Sequence, residues 1–374
     1  MQSTAALLWE AARPEVRPSE VREAVDAGAA LAQAVRLACL HGIGPMLWRA
    51  LSESDRLDAL AADPDGAAAD LRREVDRRCA QARILLPRAV ALALEPLAPL
   101  EPVVWKGPAV AVRYPDPALR PMSDIDVIVP AARHDEAVKA LEAAGWVALA
   151  RHSRDHYDTG LVHPALPGLP LELHFGLSSW RNRTNKLRAD DLWERRRPIT
   201  VFGTAAFGLA ADDEVVALAA HAGKPFHVFS RLMWATDLAI VSRGADWAGV
   251  REKAATAACQ TVVAVGLRLA AHLGAEPPWW VLELPDSRAR RRAIDQILDA
   301  DWPVDVEDFD LHDRLRYALT DRASRAGMLL AGEVIDAPPG QRLKRLRATL
   351  RHGVRAGRDL SWSSRRRFLS RRRA

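Results

Sequence analysis

The chain has 374 residues, 49% of them apolar, enough for a sizeable core in two domains or in one with a large helical appendage, and wholesale disorder is excluded. Its net charge of +5 hides a division: residues 341–374 hold thirteen Lys/Arg against the single acid Asp359, which leaves residues 1–340 mildly acidic at −7. The apolar region from Ile84 to Trp105 is broken by Arg88, Glu95, Glu101 and four prolines and cannot span a bilayer; residues 1–20 carry no secretory pattern, and Cys39, Cys79 and Cys259 fit neither a disulfide framework nor a zinc motif, so a reducing cytoplasm is the expected address.

Residues 1 to about 95 read as helical. Alanine, leucine, arginine and glutamate predominate, and apolar residues recur at three- and four-residue spacings, as in Val21, Val25 and Ala29 or Leu31, Val35 and Ala38. His41-Gly42-Ile43-Gly44-Pro45 predicts a helix stop and turn. A helix from Met46 to Leu51 follows, then one from about Ala67 to Leu94 with a kink at Pro87. Pro96, Pro99 and Pro102 mark a linker. Val103-Val104-Trp105 predicts a short strand, Lys106-Gly107-Pro108 a turn, and Ala109 to Tyr114 a helix with Pro108 at its first position.

Beyond the stretch at 120–130, His134 to Gly145 has an amphipathic pattern, with Ala137, Val138, Leu141 and Ala144 on one face. Trp146 to Leu149 predicts a strand, and Leu161-Val162-His163 with Leu169 to Leu177 a hairpin. In its second arm Leu171, Leu173 and Phe175 point one way, Glu172 and His174 the other. After the basic stretch Arg181 to Arg197, helical texture returns: Asp212 or Asp213 capping a helix through His221, an apolar stripe from Leu232 to Val241, and helices over Trp247 to Leu273 and Ser287 to Asp299. No internal repeat of 20–50 residues is present. The expected division is a helical region 1–95, a core 96–200, a second helical region 201–330, and a basic tail 331–374.

The chemistry concentrates in Arg120-Pro121-Met122-Ser123-Asp124-Ile125-Asp126-Val127-Ile128-Val129-Pro130. A buried strand closed by a proline carries two carboxylates two positions apart, which places them on one face about 6.6 Å apart along the strand. Such a pair repels itself unless a cation intervenes. By itself Glu172 reads as part of an exposed sheet face. A sheet holding its strand beside 124–129 would instead bring three carboxylates to one end, facing the turn at Gly107-Pro108. Hard carboxylate oxygens suit Mg²⁺, and two ions about 3.5–4 Å apart would clamp the attacking and leaving oxygens of a phosphoryl displacement.

Val104-Trp105-Lys106-Gly107, Tyr114-Pro115-Asp116-Pro117, Arg120-Pro121-Met122-Ser123-Asp124-Ile125-Asp126 and Leu171-Glu172-Leu173-His174, with a helical run bearing His221 and Asp237, resemble the uncharacterised nucleotidyltransferase family of the DNA polymerase β-like superfamily over roughly residues 30–275. The resemblance implies an α/β (α+β) fold: a small mixed sheet flanked by helical regions. It implies that Asp124 and Asp126 ligate two Mg²⁺ ions, and that Glu172 is the third carboxylate. The implied reaction moves a nucleoside monophosphate from an NTP, ATP first, to an acceptor, releasing pyrophosphate. The superfamily's usual Gly-Ser pair is Lys106-Gly107 here, so Lys106 is expected to meet phosphate as a point charge.

Among supporting residues, Arg120 is expected to grip the triphosphate, Ser123 to form a turn or cap, and His174 to orient Glu172 or contact substrate. His221 and Asp237 are expected to make a helix–helix polar contact behind the site. His152, His156 and His163 match no zinc spacing. The arginine-rich tail, with Arg351, Arg355 and Arg358 and the clusters 365–367 and 371–373, suits an anionic partner such as nucleic acid or a membrane surface, or simply a solubilising end. Two further readings remain: a nucleotidyltransferase-like module that binds without turnover, and a nucleic-acid binder working through the tail. The acceptor, whether small molecule, peptide, protein or RNA, is not encoded in any residue.

Overall fold

The structure is a computed structural model that describes residues 2–61, 66–149, 157–178, 184–224, 227–283, 294–295 and 298. His152, His156, the start of the basic stretch at 181–183, nearly all of the helix expected at 287–299, and the arginine-rich tail lie outside the described residues.

The N-terminal quarter is helical as expected: α1 (Gln2–Ala11), α2 (Pro18–Asp26), α3 (Leu31–Leu40), α4 (Gly44–Glu53), α5 (Leu57–Ala61), α6 (Ala67–Ala80) and α7 (Leu86–Leu94). The expected kink takes the form of a π-helical turn over Gln81–Leu85 between α6 and α7. Pro87 accounts for it. The residue has no N–H for the carbonyl four positions back, and its ring crowds that carbonyl, so the ladder widens in the preceding turn.

Next come β1 (Val103–Trp105), α8 (Gly107–Ala111), β2 (Ile125–Ile128), α9 (His134–Ala143), β3 (Val147–Ala148), β4 (Asp158–Val162), β5 (Leu171–His174), α10 (Ala189–Glu194), β6 (Arg197–Val201) and β7 (Thr204–Gly208). They build a seven-stranded mixed sheet of order β3-β4-β5-β2-β1-β7-β6. The predicted strands and the 161–177 hairpin are present. The β6–β7 hairpin is an addition, turned by Phe202 and Gly203 at φ 49° and 82°, the positive pair that a two-residue hairpin loop demands. It carries the sheet past residue 200.

The last described helices are α11 (Ala211–Ala222), α12 (Leu232–Val241), α13 (Trp247–Thr256) and α14 (Gln260–His272). The single helix expected over 247–273 is broken at Ala258, which stands at φ 52°. Nor do the acids at the start of α11 cap it. Ala210 is the N-cap residue, and Asp213 lies one turn in, held by Arg195 and by Lys253 at 2.9 Å each.

Strand alternation sorts the sheet's side chains. Val104, Ile125, Val127, Leu171 and Leu173 pack with Leu86, Val90 and Leu94 of α7 and Ala137 and Leu141 of α9 on one face. Val103, Trp105 and Ile128 go to the other, where Ala217 of α11 meets them. A separate and larger core joins the helices of residues 2–61 to α11, α12 and α14, through Leu7, Leu8, Met46 and Leu47 with Phe229, Leu238 and Leu267. Met233 N–H donates to the His41 carbonyl at 3.2 Å, and Thr236 Oγ1 donates to the Ala12 carbonyl at 2.8 Å. The two helical regions expected as separate flanks therefore share one interior.

Candidate active site

β2 and β5 run parallel with Asp126 opposite Glu172. Both side chains, and that of His174 two residues on, therefore leave the sheet on the face away from α7 and α9. Asp126, Glu172 and His174 each offer a ligand atom within 4.8 Å of the others, a cluster that takes in two of the three expected carboxylates and a histidine in place of Asp124. Asp124 stands one residue before β2 and lines the same cavity, and its Oδ2 accepts from Ser123 Oγ at 3.3 Å. Ser123 itself is exposed, a turn residue in contact with its neighbour's carboxylate.

The two aspartates sit in opposite electrostatic settings. Asp126 is buried, and burial alone would raise its pKa, but the Lys106 ammonium at 2.6 Å and His174 Nε2 at 2.8 Å, both on Oδ1, hold it far below the carboxylate range. His174 is buried too, yet its contacts with Asp126 and Glu172 push its pKa up, and its Nε2, 2.8 Å from Asp126 and 3.5 Å from Glu172, is already engaged by these acids. Among the described residues Asp124 has no cation in contact with it. Burial, then the neighbouring charge of Asp126, raises it to about 6, with Glu172 adding to the effect. Carboxylates packed with too little positive charge among them, and made wholly of hard oxygen donors once His174 is set aside, fit a divalent cation such as Mg²⁺.

Lys106 occupies the turn between β1 and α8 at φ 53°, ψ −133°, a region that suits glycine and costs a side-chain-bearing residue on the order of 1–3 kcal/mol. What that backbone achieves is direction. The ammonium lies 4.5 Å above the Trp105 ring and against Asp126. Gly107 is buried at the first position of α8, where an added Cβ would lie 3.4 Å from the Asp124 carbonyl, an ordinary contact. α8 spans only five residues and starts earlier than expected, so its dipole offers little to a phosphate.

Arg120 departs from expectation. Its Nε and Nη2 donate to Asp237 Oδ1 and Oδ2 at 2.8 and 2.7 Å, while Tyr114 Oη donates to the same carboxylate at 2.7 Å. All three side chains are buried. The guanidinium expected on a triphosphate is instead a tether from the active-site loop to α12. Two residues on in that loop, the Met122 carbonyl accepts from both Arg78 Nη1 and Gln81 Nε2 at 3.0 Å, where α6 gives way to the π-helical turn. Asp237 thus makes a contact behind the site, but with a loop residue and not with His221.

His221 lies in the site itself. Its ring sits edge-on to Trp105 at 5.9 Å and to His227 at 4.7 Å, its Nδ1 is buried with no hydrogen-bond partner among the described residues, and desolvation pushes its pKa well below the usual histidine value. Together with the carboxylates it lines a cavity of about 700 Å³ that is also lined by Lys224, His227 and Arg231 of the α11–α12 connection and by Trp234 of α12. Of these Trp234 lies within the predicted stripe at 232–241 and Arg231 just before it, and none was expected in the site. The available signal was His221-x-x-Lys224-x-x-His227, three polar residues at three-residue spacing amid alanine- and leucine-rich helices. His163, read as unsuited to zinc, caps its own turn by accepting from Ala165 N–H at 3.1 Å.

No curated protein matches this chain in sequence. A family model does, over residues 27–275, about two-thirds of the length, which takes in α3 through α14 and every active-site residue named above. On that match, and on a mixed sheet that gathers its acids at one mouth, the chain belongs to a family of uncharacterised nucleotidyltransferases.

Proposed function

We propose that the protein is a Mg²⁺-dependent nucleotidyltransferase that moves a nucleoside monophosphate from an NTP, ATP being the first candidate, to a hydroxyl or phosphate oxygen of an acceptor. The observation that carries this reading is the register of β2 on β5, which aims Asp126 and Glu172 into one cavity beside Asp124. The acceptor oxygen attacks the α-phosphorus and forms a new P–O bond. The bond from that phosphorus to the β-bridging oxygen breaks, and pyrophosphate leaves with the electron pair. Asp124, Asp126 and Glu172 would hold the metal, which supplies charge neutralisation at the phosphates when bound. Glu172, its side chain 37% exposed, is far more open than the buried Asp126 and would take the acceptor's proton. His174 orients Asp126 and Glu172, and Lys106 keeps Asp126 ionised. A cytoplasmic setting accords with three unpaired cysteines, one of them exposed.

The test is labelled ATP with Mg²⁺ and candidate acceptors, scored by pyrophosphate release. Asp124→Asn with Asp126→Asn should lower turnover by at least about a thousandfold with folding intact. Unchanged labelling in the double variant would end the catalytic reading. One observation favours a module that binds nucleotide without turnover: Lys106 and His174 both occupy Oδ1 of Asp126. Calorimetric binding of ATP with no pyrophosphate released for any acceptor would select it.

A further inference from the structure

Positive charge around the cavity is unevenly matched. Lys106 is paired with Asp126, Arg78 with Glu74, and Arg120 with Asp237. Lys224 is not paired: among the described residues no carboxylate lies within 4.0 Å of its ammonium, which rests 4.9 Å above the Tyr157 ring. Burial, with Lys106 nearby, lowers its pKa to about 8. Asp126, Asp158 and Glu172 act on it only at longer range, and a shielded ammonium in direct contact with a ring face alone is costly to keep unless something anionic completes it. Arg231 faces the same cavity, exposed, with its guanidinium 5.8 Å from the Trp234 ring and likewise no acid in reach among the described residues.

The backbone that presents Lys224 is held hard. Gly223 packs so closely on α14 that an added Cβ would fall 1.8 Å from Val262 Cγ2. Phe229 N–H donates to the Ala222 carbonyl at 2.7 Å, and the His227 ring bonds the His221 carbonyl at 2.9 Å. Val228 and Phe229 both stand at positive φ, 43° and 55°, and both are buried. Consecutive left-handed residues with large side chains persist where the surroundings over-determine them, as they do at ligand-holding turns.

We propose that Lys224, over Tyr157 and joined by Arg231, forms a phosphate-binding subsite in the cavity that the carboxylates also line. The inference rests on the nucleotidyltransferase reading for its biology but not for its chemistry, since a phosphate group bound there needs no metal. Two sources can supply the phosphate: the polyphosphate tail of the nucleotide, or a phosphate carried by the acceptor.

The experiment is calorimetric titration of the full chain with inorganic tripolyphosphate and with ribose 5-phosphate, in EDTA so that the carboxylates contribute nothing through metal. Binding of either probe should weaken about tenfold or more in Lys224→Met and a few-fold in Arg231→Ala, and should be largely kept in Lys224→Arg. Thermal melting of each variant shows whether the fold is retained, and the Arg variant keeps the test open if Met does not fold. If ATP displaces the probe, the subsite takes the nucleotide's tail. If ATP and ribose 5-phosphate bind together with Lys224 needed for the latter, it takes a phosphorylated acceptor. Equal probe binding in wild type and both Lys224 variants, or no binding at all, overturns the subsite. Failure of the enzyme reading leaves a different trace: wild-type protein that binds the probe through Lys224 yet releases no pyrophosphate from ATP and Mg²⁺ with any acceptor sinks the transfer chemistry and leaves the subsite standing.

Discussion

Arg120 and Asp124 lie four residues apart in one loop, yet they end in opposite kinds of acid cluster. Around Arg120 the stoichiometry closes: one carboxylate, Asp237, meets a bidentate guanidinium and a phenol, with every partner buried. Around Asp124 it stays open: of three carboxylates lining one cavity, Asp126 alone is closely paired, with the Lys106 ammonium and the His174 imidazole. The residue types hardly differ. Satisfied charge holds a loop in place, whereas unsatisfied charge at a cavity wall waits for a ligand.

The closed cluster should break hardest. Arg120→Met strands a buried Asp237, and the stability read from urea unfolding should fall by about 3–5 kcal/mol, most of it recovered when Asp237→Leu is added. Unfolding at the wild-type urea concentration would mean the tether contributes nothing.

Glu214 stands between the two extremes. Its side chain is almost fully buried, and Oε2 lies 2.7 Å from Arg113 Nη1 but out of line for a hydrogen bond. Burial raises its pKa to about 7, with Arg113 opposing and Asp237 adding. An acid whose folded pKa exceeds its unfolded one gives stability that is complete below the unfolded value. That stability drains away as pH rises through about 7. Glu214→Gln should therefore remove a decline in stability on the order of 2 kcal/mol between pH 5 and pH 8. A slope identical to wild type would show that Arg113 already neutralises the acid.

The open cluster should yield the smallest change in stability. Lys106→Gly frees the backbone at φ 53° while discarding the ammonium, and is expected within about 1 kcal/mol of wild type. Lys106→Ala keeps the strain without the ion pair and should fall about 1–2 kcal/mol below the Gly variant. Equal melting of the two would say that the turn is not strained.

The same contrast explains what could be read from letters. Val103-Val104-Trp105 and Ile125 to Ile128 announce themselves because β-branched and aromatic runs bounded by turns have few alternatives, and the acids inside them stand out for the same reason. Asp237 was visible as an acid in an apolar helix, but its partner sits 117 positions away. No local pattern carries that distance. The β6–β7 hairpin was obscured by Arg197 and Pro198 on its exposed arm, although Gly203 between two five-residue runs was a usable sign. The break at Ala258 had no sign at all, since alanine favours continuing a helix. Lys224, His227 and Arg231 went unread because a cavity wall is assembled by packing, not by spacing.

The interior shared by the first 61 residues and α11, α12 and α14 bears on how the chain reaches its fold. Contacts such as Ala12 with Thr236 and His41 with Met233 close loops of roughly two hundred residues, whose entropy is lost before the contacts repay it. On the ribosome α1 through α4 must wait, their apolar faces uncovered, until α12 and α14 have emerged. A fragment ending after β7 would lack most of the lining for that interior, and the natural unit for expression is the span that carries both ends of it.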